Sequence, residues 1–273
     1  MSGPQRDGRP YLGYRDADRR RPWAEWFRPG LGPLPAHVVE AVAVGPRPEP
    51  LLTDLDDLQR FVDADEQVED GLARGRDGSL RVAVHTPMPD VTPAMWDWWF
   101  GWHGDEPSKY KLWHPQAHLF AQWADGDGVR PGTRSYVGRT SYVDEYLGSR
   151  LARAAIRFVP PDEVGIDAAA LDRAGATAVC ARVGLSDQPI DIGWLVHHVR
   201  GDDAGSEMRS RFWLGGRHVA LRTGSPRVRR VAAGPLARVG RLSVQDAADL
   251  LVHCAQEMHH LAAILPGLHA RFA

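Results

Sequence analysis

The stretch SVQDAADLLVHCAQEMHHLAAILPG, residues 243–267, decides the reading of the fold. Ser243 can cap a helix by accepting from backbone N–H groups of the first turn, and Val244 to Ile264 then runs without proline or glycine until Pro266-Gly267 supplies a stop. This is the longest helix the sequence predicts. Upstream the pattern changes. Ser135 to Tyr146, Leu151 to Val159, Ala176 to Leu185, Ile190 to Arg200, Met208 to Leu214, His218 to Arg222 and Arg227 to Val231 are β-like and separated by turn-formers, and Leu80 to His85 alternates like a strand. Consecutive strands with short links predict an antiparallel sheet. A curved sheet followed by one long helix closes around a cavity, because the helix covers the concave face. The expected fold class is α+β.

Toward the N-terminus, Thr92-Pro93 reads as the cap and first-turn proline of a short aromatic helix carrying Trp96, Trp98, Trp99 and Trp102. His37 to Val44 and Leu52 to Val62 have helical apolar spacing between proline breaks. A small helical region is therefore expected over residues 31–78, with a boundary near Gly78 and the main domain over 79–273. Residues 1–30 mix Gly, Pro, Arg and Asp with few apolar positions, which predicts a flexible arm whose end is pinned by Trp23 and Trp26. There is no internal repeat.

A chain of 273 residues buries enough apolar surface to fold without staples. With 33 Lys plus Arg against 35 Asp plus Glu, nothing in the balance points to nucleic acid. The one basic stretch, Arg222 to Arg241, mixes arginine with Val, Gly and Pro and reads as a solvated strand-and-loop surface. Cys180 and Cys254 stand far apart, outside any paired ligand spacing, so neither a disulfide framework nor a thiolate zinc cluster is expected and a reducing cytoplasm fits best. No stretch is apolar and long enough to span a bilayer.

On the last helix His253 and Glu257 are one turn apart and share a face with apolar neighbours. A buried carboxylate is costly unless paired or bound to a cation, and a His with a Glu at this spacing can reach one ion. The run KYKLWHPQAH, Lys109 to His118, places two histidines around a stiffening proline, just after Tyr110 and Trp113. In SYVDEYLG, Glu145 shares a strand face with Val143 and Leu147, and an acid on an apolar face implies metal ligation or a salt bridge to an arginine such as Arg139 or Arg150. His197 and His198 are adjacent on a strand, so only one of them can face the interior. Two histidines with two carboxylates make a mixed N and O ligand set, which suits zinc better than calcium or magnesium.

Through YKLWHPQAH, GRTSYVDEYLG, GWLVHHVR, RSRFWLGG and the terminal HCAQE, the chain resembles the family of diacetylphloroglucinol hydrolase and phloretin hydrolase from about Val82 to Leu265. The resemblance implies a Bet v 1-like helix-grip catalytic domain and a single zinc held by His118, Glu145, His253 and Glu257, with His114 as competitor for the first place. It also implies that Tyr110 contacts a substrate hydroxyl and that one of His197 and His198, by preference His197, is the acid-base histidine. His114, Trp113 and Phe212 are counted among substrate contacts. Two departures stand out: Phe212 occupies the place of an expected second substrate-binding tyrosine, and Ala121 stands where a polar contact is expected.

The implied chemistry is hydrolysis of the carbon-carbon bond between an acyl group and a phenolic ring, in a pocket walled by Trp96, Trp99, Trp113 and Phe212. The expected partner is a small acylated phenol or polyketide, and a homodimer is the assembly considered. Two rivals are a metal-dependent cyclase or lyase on an aromatic polyketide, told apart by its products, and a metal-free small-molecule carrier, against which the inward carboxylates argue.

Overall fold

The computed structural model describes residues 10–130, 132–223 and 242–273. Ten strands among them build one sheet: β1 (Pro46–Arg47), β2 (Gly71–Arg74), β3 (Leu80–Pro89), β4 (His118–Trp123), β5 (Thr140–Leu147), β6 (Arg150–Val159), β7 (Thr177–Leu185), β8 (Ile190–Asp202), β9 (Gly205–Leu214) and β10 (Ala220–Leu221). Their order is β1-β2-β3-β9-β8-β7-β6-β5-β4, with β10 on β8. The run from β4 to β9 follows chain order as an antiparallel meander; β5–β6, β7–β8 and β8–β9 are joined by short links, and longer connections join β4 to β5 and β6 to β7. β3 then joins β9, and the two-residue β1 pairs parallel with β2.

The α-helices among the described residues are α1 (Ala36–Val44), α2 (Leu58–Asp63), α3 (Pro93–Trp102), α4 (Pro107–Trp113), α5 (Ala168–Ala174), α6 (Val244–Ala262) and α7 (Leu265–Phe272). α6 starts with a reciprocal capping box: Asp246 N donates to Ser243 Oγ at 3.1 Å, and Ser243 N donates to Asp246 Oδ2 at 2.7 Å. It lies across β2, β3 and β5 on one face of the sheet. There Leu250, Leu251, Cys254, Met258 and Leu261 share a core with Val82, Val84, Phe158, Val179, Leu195 and Phe212. Each such side chain contributes about 1.5–3 kcal/mol by burial. The opposite face is covered by Leu58 and Phe61 of α2 with Ile166 and Leu171, over Val159, Cys180, Val196 and Trp213. This is the helix-grip arrangement of an α+β protein, with the sheet buried on both sides.

Several sequence expectations shift. The strand expected from Ser135 begins only at Thr140, because Arg134 (φ +54°) and Gly138 (φ +81°) turn the chain and send Tyr136 into the core. His218 to Arg222 shrinks to the two residues of β10, after a 3-10 turn over Gly216–His218. Arg227 to Val231 and most of the basic stretch lie outside the described residues; Arg222 itself donates to the Leu185 and Gln188 carbonyls. Pro266 does not end the helical course: α6 stops at Ala262, and Pro266 occupies the first turn of α7, where its missing N–H has no partner to lose.

From Pro10 onward the arm expected to be flexible is packed: Tyr14 stacks on Phe27 at 3.9 Å, Trp23 Nε1 donates to Ser108 Oγ at 3.1 Å, and Trp26 meets Phe272 edge-on. Its aromatics are too scattered among Gly, Pro and Arg to show a period. The β2–β3 hairpin turns through Gly78 (φ +85°), so strands on both sides of that position belong to one sheet. Cys180 and Cys254 are buried free thiols, and none of the described helices is long and apolar enough to cross a membrane.

Candidate metal centre

Three elements bring four side chains together. His118 opens β4 directly opposite Glu145 on β5, and a register shift between His118 and Phe120 re-aims the start of that strand. His253 and Glu257 hang from α6 one turn apart. His118 Nε2 lies 3.3 Å from His253 Nε2, 3.3 Å from Glu257 Oε2 and 3.6 Å from Glu145 Oε2. His253 Nε2 is 3.7 Å from Glu257 Oε2 and 4.0 Å from Glu145 Oε2. The ligand atoms of His118, Glu145 and His253 all fall within 4.8 Å of one another, which is the geometry of a group able to hold a metal ion.

The protonation states sharpen this. His118 Nδ1 donates to the Tyr110 carbonyl at 2.9 Å, and His253 has a backbone hydrogen bond with Tyr146. Each ring is thereby oriented with Nε2 toward the cluster, the second-sphere support expected of a metal-ligating histidine. Burial, reinforced by the neighbouring His253 and His114, pushes His118 well below the usual imidazole range, and burial holds His253 down to about 4. Burial and the Glu145 charge raise Glu257 well above the carboxylate range. Burial raises Glu145 too, against a hydrogen bond from the Tyr110 hydroxyl.

Two imidazole lone pairs therefore face each other beside two largely buried carboxylates. Among the described residues no lysine or arginine reaches them: Arg139 is engaged by Asp125 at 2.8 Å and Arg150 by Asp246 at 3.2 Å. Such a set repels itself unless a cation sits among it, so the donor chemistry fits a divalent metal.

A cavity of about 80 Å³ adjoins the cluster, lined by Tyr110, Glu145, His253 and Glu257 at one end and by Phe100, Trp113, Phe158, Leu195, His197 and Phe212 along its walls. A wider groove of about 960 Å³ lies on the other side of the sheet around Tyr142, Arg182 and Trp194, but its buried Arg182 is paired with Asp191 at 3.2 Å. At the smaller cavity histidines and carboxylates converge without an arginine or lysine partner among the described residues.

The expected site residues divide. Tyr110, on α4, stacks on the His118 ring at 3.7 Å and bonds Glu145; burial and that carboxylate push its hydroxyl well above its ordinary range, so it stays protonated. Of the histidine pair, His197 faces the cavity, with Nδ1 2.8 Å from Ser210 Oγ, and burial lowers it to about 3. His198 projects from the opposite face, edge-on to Phe61, and so is no catalytic candidate; strand alternation separates the neighbours.

His114 lines neither cluster nor cavity. It stacks behind His253 at 4.8 Å, its Nε2 3.4 Å from Gln256 Oε1, because the tight turn through Pro115 gives the inward place to His118. Trp113 and Phe212 do line the cavity, whereas Trp96 and Trp99 are fully buried behind the wall.

Two polar lining residues escaped the sequence reading. His103 follows the tryptophan helix, donates from Nδ1 to the Trp99 carbonyl at 2.8 Å and is lowered to about 4 by burial and the Lys109 charge. Ser141 stands four residues before Glu145, on the same face of β5; continuing the alternation from Glu145 through Val143 would have found it.

Residues 51–270 match the family described as the DAPG hydrolase PhiG domain. A 2,4-diacetylphloroglucinol hydrolase of Pseudomonas sp is 26% identical over 272 residues, covering 96% of this chain and 92% of that protein. The phloretin hydrolase of Eubacterium ramulus is 26% identical over 270 residues, covering 95% and 93%. Among solved structures, Ara h 8.0201 is similar over 64% of this chain and 97% of its own, at 10% identity and a TM-score of 0.32, too distant to bear on the argument. With a matched region that contains every residue of the cluster and its cavity, the chain belongs to the DAPG hydrolase family.

Proposed function

We propose that this protein is a zinc-dependent hydrolase that splits the carbon-carbon bond between an acyl group and a phenolic, phloroglucinol-like ring. The observation that carries the reading is the convergence of His118, Glu145, His253 and Glu257 on one point at the end of an aromatic cavity, with no arginine or lysine beside them among the described residues. Two imidazoles and two carboxylates favour zinc over calcium or magnesium. The names of the hydrolase relatives support the same bond and the same kind of ring.

Bound there, zinc supplies Lewis acidity at an acyl carbonyl and activates water for attack. The chain's own groups handle the protons. Tyr110 keeps its hydrogen and can turn it from Glu145 to a phenolic or carbonyl oxygen. His197 is neutral and held by Ser210, which leaves Nε2 to exchange a proton with a ring hydroxyl or the ring carbon bearing the acyl group. The atoms balance simply: water oxygen joins the acyl carbon, the bond from that carbon to the ring breaks, and a proton ends on the ring carbon. The products are a carboxylic acid and the deacylated phenol.

Phe100, Trp113, Phe158 and Phe212 exclude water and offer faces to the ring. The cavity's 80 Å³ is smaller than the roughly 150 Å³ that accepts benzene in a protein core, so entry of a substituted ring displaces wall side chains. Incubating purified protein with mono- and diacylphloroglucinols and separating the products tests the reading. Release of acid with the deacylated phenol supports it; cyclised or unchanged material from a zinc-loaded protein contradicts it.

A further inference from the structure

Every polar side chain of the cavity but two has a visible employment. Tyr110, Glu145, His253 and Glu257 form the cluster, while His103 and His197 each have one ring nitrogen engaged. The exceptions are the Trp113 indole N–H and the Ser141 hydroxyl, both buried without a hydrogen-bond partner among the described residues. Trp113 stands beside the cluster, its ring 5.6 Å from that of His118. Ser141 lies at the far end, 2% exposed, between apolar cross-strand neighbours Trp123 and Ile156.

A buried hydroxyl without a partner is a net cost to folding, so an alanine would serve the fold better at this position. The hydroxyl faces a cavity whose other end is the acid and histidine cluster. Glu145 is four strand positions beyond Ser141, about 13 Å between Cα atoms. Once side chains and a hydrogen bond at each end are counted, one ring with an acyl carbonyl at one end and a hydroxyl at the other spans that interval. Val143, Ile156 and Phe158, the lining residues nearest Ser141 along β5 and β6, are apolar.

We propose that Ser141 is a specificity-determining residue: its Oγ hydrogen-bonds the ring hydroxyl para to the acyl group, so that para-hydroxylated acylphenols are preferred over rings lacking that group. This deepens the hydrolase reading and rests on it for the orientation of the ring.

The test pairs 2′,4′,6′-trihydroxyacetophenone with 2′,6′-dihydroxyacetophenone, which differ only in that hydroxyl, on wild-type protein and Ser141→Ala, by calorimetric affinity and by kcat/KM. The wild type is expected to prefer the trihydroxy compound by roughly 10- to 100-fold. In Ser141→Ala, at unchanged zinc content, the preference is expected to shrink to within about threefold, through loss on the trihydroxy compound alone. A preference that survives the substitution, an equal loss on both compounds, or a wild type indifferent to the hydroxyl would each overturn the assignment. Affinity is read without turnover, so a protein that binds with the expected preference but cleaves neither compound sinks the hydrolase reading and leaves Ser141 standing.

Discussion

The two faces of the sheet carry acids in opposite circumstances. On the outer face Glu66 and Glu69 meet Arg211 and Arg209, at 2.9 and 2.8 Å, and Arg81 takes Glu49 and Asp54. Burial alone would raise Glu69, but the Arg209 hydrogen bond, the Arg211 charge and the Glu66 N–H hold it at about 2. On the inner face Glu145 and Glu257 have only histidines and a tyrosine near them, and both are raised. A protein able to place arginines behind its outer acids has left the inner ones without a built-in counter-charge among the described residues. The outer cluster is complete within the chain; the inner one asks for a cation from outside.

Substitutions can break that contrast. The largest effect is expected from Glu257→Ala, which should abolish zinc retention and lower turnover by roughly 10³-fold or more, while the metal-free variant melts no lower than the metal-free wild type because a repelling buried acid is gone. Elemental analysis, kinetics and thermal melts check all three. His197→Ala comes next: zinc should stay bound while kcat falls by about 10²- to 10⁴-fold, measured against metal content on the same sample.

On the outer face Glu69→Ala should leave zinc and the active site alone but destabilise the fold by about 3 kcal/mol in urea unfolding, since it takes the carboxylate from the buried Arg209 and leaves Arg211 with Glu66 alone. The pH dependence carries the sign of the depressed carboxyl: its contribution is fully present above the unfolded value near 4.5 and is lost as pH falls toward about 2. Glu69→Gln should flatten the stability curve in that window alone. The smallest effect belongs to His198→Leu, where both ring nitrogens are buried without partners among the described residues: unchanged turnover and a stability change within about 1 kcal/mol. A large loss of activity there, one residue from His197, would break the separation of the faces.

The sequence carried the parts that repeat. The cap at Ser243, the period of α6 and the alternation of β5 placed His253, Glu257 and Glu145 on apolar faces, whereas alternation alone left His197 and His198 open and the preference for His197 came from the family resemblance. Short elements did not show. β4 begins at His118 directly after a proline turn, so the run Lys109 to His118 reads as one segment although it is a helix, a turn and a strand. For the same reason His114 and His118 could not be told apart: only the pairing of His118 with Glu145 decides which ring turns inward. His103 carries no motif and its place depends on contacts between residues distant in the chain, whereas Ser141 was open to the same alternation that placed Glu145, four positions further along β5.

The most direct test of the inner cluster as a cation site is calorimetric titration of metal-stripped protein with zinc. One equivalent should bind to the wild type and none to Glu257→Ala. A wild type that takes up no zinc, or a variant that binds it as tightly as the wild type, would contradict the claim.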